Sequence, residues 1–167
     1  MMPDEIRYWV DKLQLTAHPE GGYYRELYRS VEILDNCCLG DTFSGNRNLS
    51  TAIYYLLTKG DFSAFHRIKS DEIWHFYAGD SLQLHIIHPD GKYETKIVGN
   101  KPFTNLEPSV VVPKACWFAA IPLGEYALVG CTVAPGFAFE DFELAERQAL
   151  KKLFPQYSEL IESLTRG

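Results

Sequence analysis

The sequence predicts an all-β fold with flanking helices, a sandwich or barrel formed by a single domain over residues 1–167. The chain has 167 residues, of which 46% are hydrophobic and 23% charged, a composition typical of one globular domain. About eight short apolar or alternating runs follow one another between residues 23 and 133, with turn residues between many of them. Runs of this length and spacing indicate a sandwich or barrel.

Both ends of the chain show helical periodicity. Between residues 3 and 14, apolar side chains recur at i, i+3, i+4 and i+7, which predicts a short amphipathic helix that the HPEGG segment at 18–22 stops. The apolar positions between Phe142 and Leu153 predict another helix, and Pro155 is expected to open a further one.

The predicted strands lie between these helices. They are YYRELYR (23–29), STAIYYLL (50–57), EIWHFYAG (72–79), SLQLHII (81–87), KYETKIV (92–98), SVVVP (109–113), CWFAAI (116–121) and ALVGCTV (127–133). The polar, glycine-bearing segment 35–48 is predicted to be a long mobile loop, because it has no apolar periodicity. Arg47 within this loop is a candidate to reach an anionic ligand.

Charge and hydropathy restrict the partners and the location. The chain carries 16 Lys and Arg against 22 Asp and Glu, a net charge of −6, and the basic residues form no stripe. Nucleic-acid binding relies on clustered cations, so no nucleic-acid partner is predicted. The N-terminus lacks signal-peptide features and no apolar run is long enough to cross a bilayer, so we expect a cytoplasmic protein that does not contact membranes.

The densest group of potential ligands and proton carriers is FHRIKSDEIWHFYAGD, residues 65–80. It holds His66, Glu72 and His75. Its layout resembles the first conserved motif of the cupin superfamily, in which a His-x-His pair, a Glu and a Gly lie on two strands joined by a tight turn. Imidazoles and a carboxylate then converge at the mouth of a small barrel. Here Ile68 stands at the second histidine of the pair.

The second cupin motif, Pro-x-Gly-x-x-His, aligns with PKACWF. Ala115 stands at the glycine and Phe118 at the last metal-binding histidine. His66 and Glu72 remain as candidate metal ligands, and His75 joins them only if a bulge returns it to their face of the strand. Because three protein ligands are usual in catalytic sites, no cofactor is predicted, and a divalent metal stays an alternative.

Five longer blocks are similar to a small family of cupins, the DUF985 or cupin-5 family. The blocks are HPEGGYYRELYRS (18–30), STAIYYLL (50–57), FHRIKSDEIWHFYAGDSLQLHII (65–87), VVVPKACWFAA (110–120) and LVGCTVAPGFAFEDFEL (128–144). The resemblance implies a single cupin domain, a double-stranded β-helix or jelly-roll barrel with a short N-terminal helix and C-terminal helices. It also implies a homodimer with a deep polar and aromatic pocket for a small polar or anionic ligand.

That family is in turn similar to metal-free epimerases of deoxy-sugar nucleotides, which use a His base and a Tyr acid. Their Arg-Gly-x-Phe-x-Glu pattern resembles GGYYRE here and matches it at Gly22, Tyr24 and Glu26. His66 falls on the strand of the epimerase base, whereas Val129 stands where the catalytic Tyr is expected. Because such chemistry needs an acid as well as a base, the resemblance leaves the reaction open.

We predict His66 as a catalytic base and Glu72 as its orienting or proton-sharing partner, in an isomerase or epimerase acting on a sugar- or nucleotide-linked substrate. Whether the protein is an enzyme stays open. A metal-dependent dioxygenase or lyase using His66 and Glu72 is one alternative, and a noncatalytic ligand-binding module is another.

A second group of side chains is expected to hold the ligand. The candidate ligand-binding residues are Tyr24, Arg25, Glu26, Trp74, His75 and Phe76. Trp74 and Phe76 alternate with Glu72, so they are expected on its face of the strand, where they form an aromatic wall. Further aromatic candidates for this wall are Trp117, Phe118, Phe137 and Phe139.

Overall fold

The computed structural model describes residues 3–102 and 104–167. Its helices are α1 (Asp4–Leu13), α2 (Asn36–Leu39), α3 (Arg147–Leu153) and α4 (Ser158–Ser163). Its strands are β1 (Thr16–Ala17), β2 (Tyr23–Arg29), β3 (Ile33–Leu34), β4 (Arg47–Asn48), β5 (Thr51–Thr58), β6 (Ser63–Arg67), β7 (Asp71–Gly79), β8 (Leu82–Ile87), β9 (Tyr93–Val98), β10 (Ser109–Val112), β11 (Trp117–Pro122), β12 (Tyr126–Ala134) and β13 (Glu143–Leu144).

The strands form two main sheets. The larger sheet has the order β1-β2-β5-β12-β7-β10, the smaller has the order β13-β6-β11-β8-β9, and β3 pairs with β4. Alternate residues of both main sheets meet in one apolar core, which contains Tyr55 and Trp74 from the larger sheet and Leu84 and Phe118 from the smaller. The predicted all-β fold with flanking helices is confirmed.

Helices cover the outer faces of the sheets. The apolar side of α1 places Ile6 against Leu56 and Leu128 of the larger sheet. Leu150 of α3 and Ile161 of α4 pack in the cluster that covers the smaller sheet. In the part of the chain that the structure describes, no helix is long and apolar enough to cross a membrane.

All eight predicted strands are present, and β2 has the predicted bounds. The strand β6 was not among the predicted runs. Four of its five residues are buried, because the core covers one face and the C-terminal helices cover the other. A strand buried on both faces does not alternate between apolar and polar residues, so SAFHR gives no strand signal.

The helix predicted from Phe142 onward begins later, at α3. Glu143 and Leu144 instead pair with β6 as β13, which extends the smaller sheet by one short strand. The Glu146 side chain then accepts hydrogen bonds from the amides of Gln148 and Ala149 and so caps the helix. The apolar residues before the cap therefore belong to a sheet edge.

The segment 35–48 is held by a buried ion pair. Arg47 is 3% exposed, and its Nε and Nη2 lie 2.6 and 2.8 Å from the carboxylate oxygens of Asp141. Glu140 adds a further contact at 3.1 Å. The segment also contains α2 and β4, so the predicted long loop is partly regular, and the Arg47 guanidinium is engaged by protein carboxylates.

Candidate functional site

A cavity of about 230 Å³ enters the core between the two main sheets. Exposed residues form its mouth, among them Thr16 and Phe139, and the exposed fraction of Phe139 is 57%. Buried residues form its floor, among them His66, Glu72 and Cys131. Because the polar groups at the floor are shielded from bulk water, their electrostatic effects on a ligand are strong.

The floor holds a buried histidine–glutamate pair. His66 is 3% exposed and Glu20 is 6% exposed. Nδ1 of His66 lies 2.7 Å from the carbonyl oxygen of Ala64, which can only accept, so Nδ1 carries a hydrogen. Nε2 lies 3.2 Å from Oε2 of Glu20. The pair can therefore hold one further proton between Nε2 and Oε2.

Glu20 and His18 reach the cavity from the HPEGG turn. The Glu20 amide donates to Nδ1 of His18, so the ring hydrogen of neutral His18 lies on Nε2. Burial lowers the pKa of His18, although the charge of Glu20 opposes this, and His66 lowers it further. His18 is thus a neutral hydrogen-bond donor at the edge of the cavity.

The conformation of this turn requires glycine at both Gly21 and Gly22, since each has a positive φ and no room for a Cβ. Gly22 has φ +70°, and a Cβ there would lie 2.6 Å from the carbonyl oxygen of Leu56. The Gly22 amide donates to Asp61 at 2.9 Å. Arg166, which follows α4, donates to the carbonyl oxygen of Glu20 at 3.1 Å and to Asp61 at 2.6 Å. These contacts fix the backbone that positions Glu20.

Glu72 is the second acidic group at the floor. Burial raises the pKa of Glu72 to about 8, the charge of Glu20 adds to this rise, and the Cys131 thiol partly opposes it. At neutral pH the carboxyl group is therefore protonated and able to donate. Two glutamates in one cavity thus differ in role, since Glu20 is paired with an imidazole and Glu72 is a neutral acid.

Aromatic rings line the side of the cavity next to this floor. Phe137 and Phe139 lie in the segment after β12, with ring centroids 5.1 Å apart. Phe142 lies 5.3 Å from the His66 ring, and Tyr24 packs edge-on against His18 at 4.5 Å. The cavity therefore offers apolar ring faces directly beside its proton-carrying groups.

The structure does not place Trp74 and Phe76 at the cavity. Both point to the interior, but the cavity ends at Glu72. Trp74 lies further along β7, edge-on to Tyr55 and Phe118 at 5.7 and 6.3 Å, and fills the core beneath the floor. The aromatic wall comes from the segment after β12.

His75 also lies away from the cavity. Its ring nitrogens each lie 3.1 Å from a hydroxyl, Nδ1 from that of Ser109 and Nε2 from that of Thr132. Strand alternation sends His75 to the outer face of β7, and the bulge in this strand comes after it, between Phe76 and Ala78. His75 is therefore separated from Glu72 by the thickness of the sheet.

Tyr24, Glu26 and Arg25 all border the cavity. Tyr24 faces His18, and Glu26 lies at the mouth in an ion pair with Arg29 at 2.7 Å. The Arg25 side chain extends from the other face of β2, away from Tyr24 and Glu26. Its guanidinium carbon lies 5.6 Å above the ring of Tyr54.

The family model described as "Cupin superfamily (DUF985)" matches residues 7–145. The chain belongs to this family of cupins. An uncharacterised protein of Saccharomyces cerevisiae, YML079W, is 35% identical to it over 151 residues, which cover 83% of this chain and 74% of the yeast protein.

Solved structures also resemble the chain. Protein SO0799 from Shewanella oneidensis is 37% identical, with a TM-score of 0.86 over 99% of this chain and 98% of that one. A hypothetical protein from Leishmania major is 34% identical, with a TM-score of 0.87 over 96% and 98%. Oxalate decarboxylase from Bacillus subtilis is 17% identical, with a TM-score of 0.56 over 89% of this chain and 36% of its own, and shares the fold alone. The predicted cupin fold and family are confirmed.

The floor of this DUF985 cupin does not fit a resident metal ion. Both ring nitrogens of His66 face protein oxygens. Ile68 lines the cavity, and the Phe118 ring centroid lies 4.1 Å from that of His66, so apolar groups occupy the two remaining motif positions. Over residues 3–102 and 104–167, no three His, Cys, Asp or Glu side chains are grouped to hold a metal.

Glu20 and His18 were missed in the sequence of this DUF985 cupin. Helical periodicity predicts HPEGG as the stop of the first helix, and the segment also opens the first block of the family resemblance, but neither prediction gives His18 or Glu20 a role. A usable signal was present, because His18 and Glu20 flank a proline and precede two glycines, a turn that can direct both side chains the same way. The partner of His66 is therefore 46 positions away in the chain and not in its own motif.

Proposed function

We propose that this cupin transfers a proton at the carbon next to a carbonyl group in a small polar molecule of the sugar type, the first step of an isomerase or epimerase reaction. One observation carries the proposal. The cavity combines a buried pair that can accept a proton, His66 with Glu20, and a separate buried acid, Glu72, that is protonated at neutral pH. Where the environments of neighbouring groups keep one protonated and leave another able to accept a proton, the first can act as the acid and the second as the base.

The proposed step uses each group once. The base is the His66–Glu20 pair, which takes the proton of the C–H bond and holds it between Nε2 of His66 and Oε2 of Glu20. The electron pair of that bond forms a carbon–carbon double bond, and the carbonyl oxygen receives the proton of Glu72. Return of a proton to the neighbouring carbon gives an isomer, and return to the opposite face gives an epimer. The sequence predicts Glu72 as the orienting or proton-sharing partner of His66, whereas the proposed step makes Glu72 the proton donor to the carbonyl oxygen.

Solvent exchange tests this step directly. In D2O, the wild-type protein is expected to introduce deuterium next to the carbonyl group of one member of a panel of aldoses, ketoses and nucleotide-linked keto-sugars. His66→Gln and Glu20→Gln are each expected to slow this exchange by about 10²–10⁴-fold, the usual contribution of a general base. Proton NMR measures the loss of the C–H signal.

His75→Gln is the matched control, because His75 is a histidine of the same motif on the outer face of the sheet. Exchange is expected to continue at the wild-type rate in this variant. No exchange across the panel, or equal loss in His75→Gln and His66→Gln, contradicts the proposal.

The pH dependence of exchange depends on Glu72. The raised pKa of Glu72, about 8 because of burial, keeps the donor protonated at neutral pH, so the rate is expected to fall as pH rises through about 8. Glu72→Gln is expected to be slower and to lack this descending limb. Rates measured from pH 6 to 10 in both proteins show the difference, and an unchanged limb in the variant would remove Glu72 from the mechanism.

A further inference from the structure

We propose that the cavity selects uncharged polyhydroxy carbonyl compounds, the free sugars, over their anionic counterparts: sugar acids, sugar phosphates and nucleotide-linked sugars. The inference rests on the proposed function and names the substrate class of that same site. The sequence predicts a small ligand that is either polar or anionic. The inference selects the uncharged polar ligand.

Three carboxyl groups belong to the lining of the cavity. Glu20 and Glu72 lie at the floor, and Glu26 lies at the mouth. The Glu20 carboxylate accepts from the Ser63 hydroxyl at 2.8 Å and faces His66. The His66–Glu20 pair has a net charge of zero when it holds its extra proton and −1 when it does not. An anionic ligand group at the floor therefore meets a neutral or negative surface.

The arginines at the cavity do not compensate for these carboxyl groups. Among the described lining residues the cations are Arg25 and Arg29. Arg29 binds Glu26 through two hydrogen bonds of 2.7 and 2.9 Å, and its remaining terminal nitrogen donates to Asn48 and to the carbonyl oxygen of Phe137. Arg25 extends to the other face of the sheet. Neither guanidinium is presented to the floor.

The cavity offers hydrogen-bond partners to the uncharged hydroxyl and carbonyl groups of a ligand. Glu72 offers an O–H donor, and His18 offers an N–H donor at Nε2, for which the described residues provide no hydrogen-bond partner. Phe137 and Phe142 add apolar aromatic rings to the lining, and such rings suit the C–H face of a sugar. The volume of about 230 Å³ is below the roughly 300 Å³ at which pockets for larger ligands begin. A free sugar therefore suits the cavity better than a sugar with a nucleotide attached.

Binding to matched pairs tests the selection. The probes are the aldopentoses, aldohexoses and corresponding ketoses, each beside its aldonate or its terminal phosphate, together with UDP-glucose. Titration calorimetry measures affinity, and NMR of the His18 and His66 side chains locates the ligand. We expect at least one free sugar to bind at the floor at least tenfold more tightly than its anionic counterpart.

Two variants identify the cause of the selection. Glu20→Gln is expected to narrow the ratio of affinities, because it removes the buried carboxylate, whereas Glu32→Gln, which changes an exposed carboxylate outside the cavity lining, is expected to leave the ratio unchanged. An anionic probe that binds at the floor as tightly as its uncharged counterpart overturns the inference, and so does a panel in which no free sugar binds. A free sugar that binds but exchanges no deuterium leaves the inference standing and defeats the proposed function.

Discussion

Glu72→Gln is expected to raise the free energy of unfolding by about 4 kcal/mol at pH 8 and to change it little near pH 5. Burial raises the pKa of Glu72 from its ordinary value of 4.5 to about 8. Between these values the folded chain binds a proton that the unfolded chain has lost, so stability falls with rising pH by about 1.4 kcal/mol per unit. Glutamine is neutral throughout and has the same shape, so the variant does not lose this stability.

Urea unfolding at intervals from pH 5 to pH 8 measures the effect as the difference between wild type and variant. Glu32→Gln is the matched control, since Glu32 is exposed and its difference from wild type is expected to stay constant. A Glu72→Gln difference that does not grow with pH would show that Glu72 is ionised in the folded protein, and it would remove the proton donor from the proposed reaction.

Arg47→Met is expected to lower the free energy of unfolding by about 3 kcal/mol. Arg47 and Asp141 are 3% and 7% exposed and are joined by two hydrogen bonds. Methionine has a similar length but no donor, so the Asp141 carboxylate stays buried with Lys69 at 3.5 Å as its remaining cation. The cost arises from an uncompensated buried charge.

Chemical denaturation at pH 7 measures the effect of this substitution. Lys59→Met is the control, because the ion pair of Lys59 with Glu125 is exposed, and we expect no measurable change. The double variant Arg47→Met with Asp141→Leu is expected to recover most of the loss, since it removes both charges. A double variant no more stable than Arg47→Met would instead attribute the loss to packing around segment 35–48.

The sequence was a good guide to the fold where one face of an element meets water. Such elements alternate or repeat visibly, as α1 and β2 do. The predicted bounds of β2 are confirmed, and α1 is one residue shorter at each end than predicted. Periodicity missed β6, which is buried on both faces and which only the cupin resemblance placed on a strand. It also missed β13, whose apolar residues fit a helical repeat as well. In these cases the environment is set by distant elements, which local periodicity does not report.

The candidate site was likewise predicted only in part from the sequence. The structure places the two residues expected from the cupin motif, His66 and Glu72, in one cavity. Trp74 lies outside that cavity. The prediction was wrong because strand alternation gives the direction of a side chain but not the depth at which a cavity ends. The partner of His66 was missed because Glu20 arrives through a turn outside the motif. The homodimer, the cytoplasmic location and the absence of a nucleic-acid partner stay predictions, since they concern the neighbours of the chain.

Because Arg166 lies near residue 167, its contacts with the turn that carries Glu20 form late in synthesis. Arg166 supports the backbone of Glu20 from 146 positions downstream, and it also binds the Asp61 side chain that holds Gly22. A nascent chain on the ribosome completes every strand of both main sheets before residue 166 is synthesised. The hydrogen bonds of Arg166 to Glu20 and Asp61 are therefore the last to join those that Ala64 and Ser63 give to Glu20.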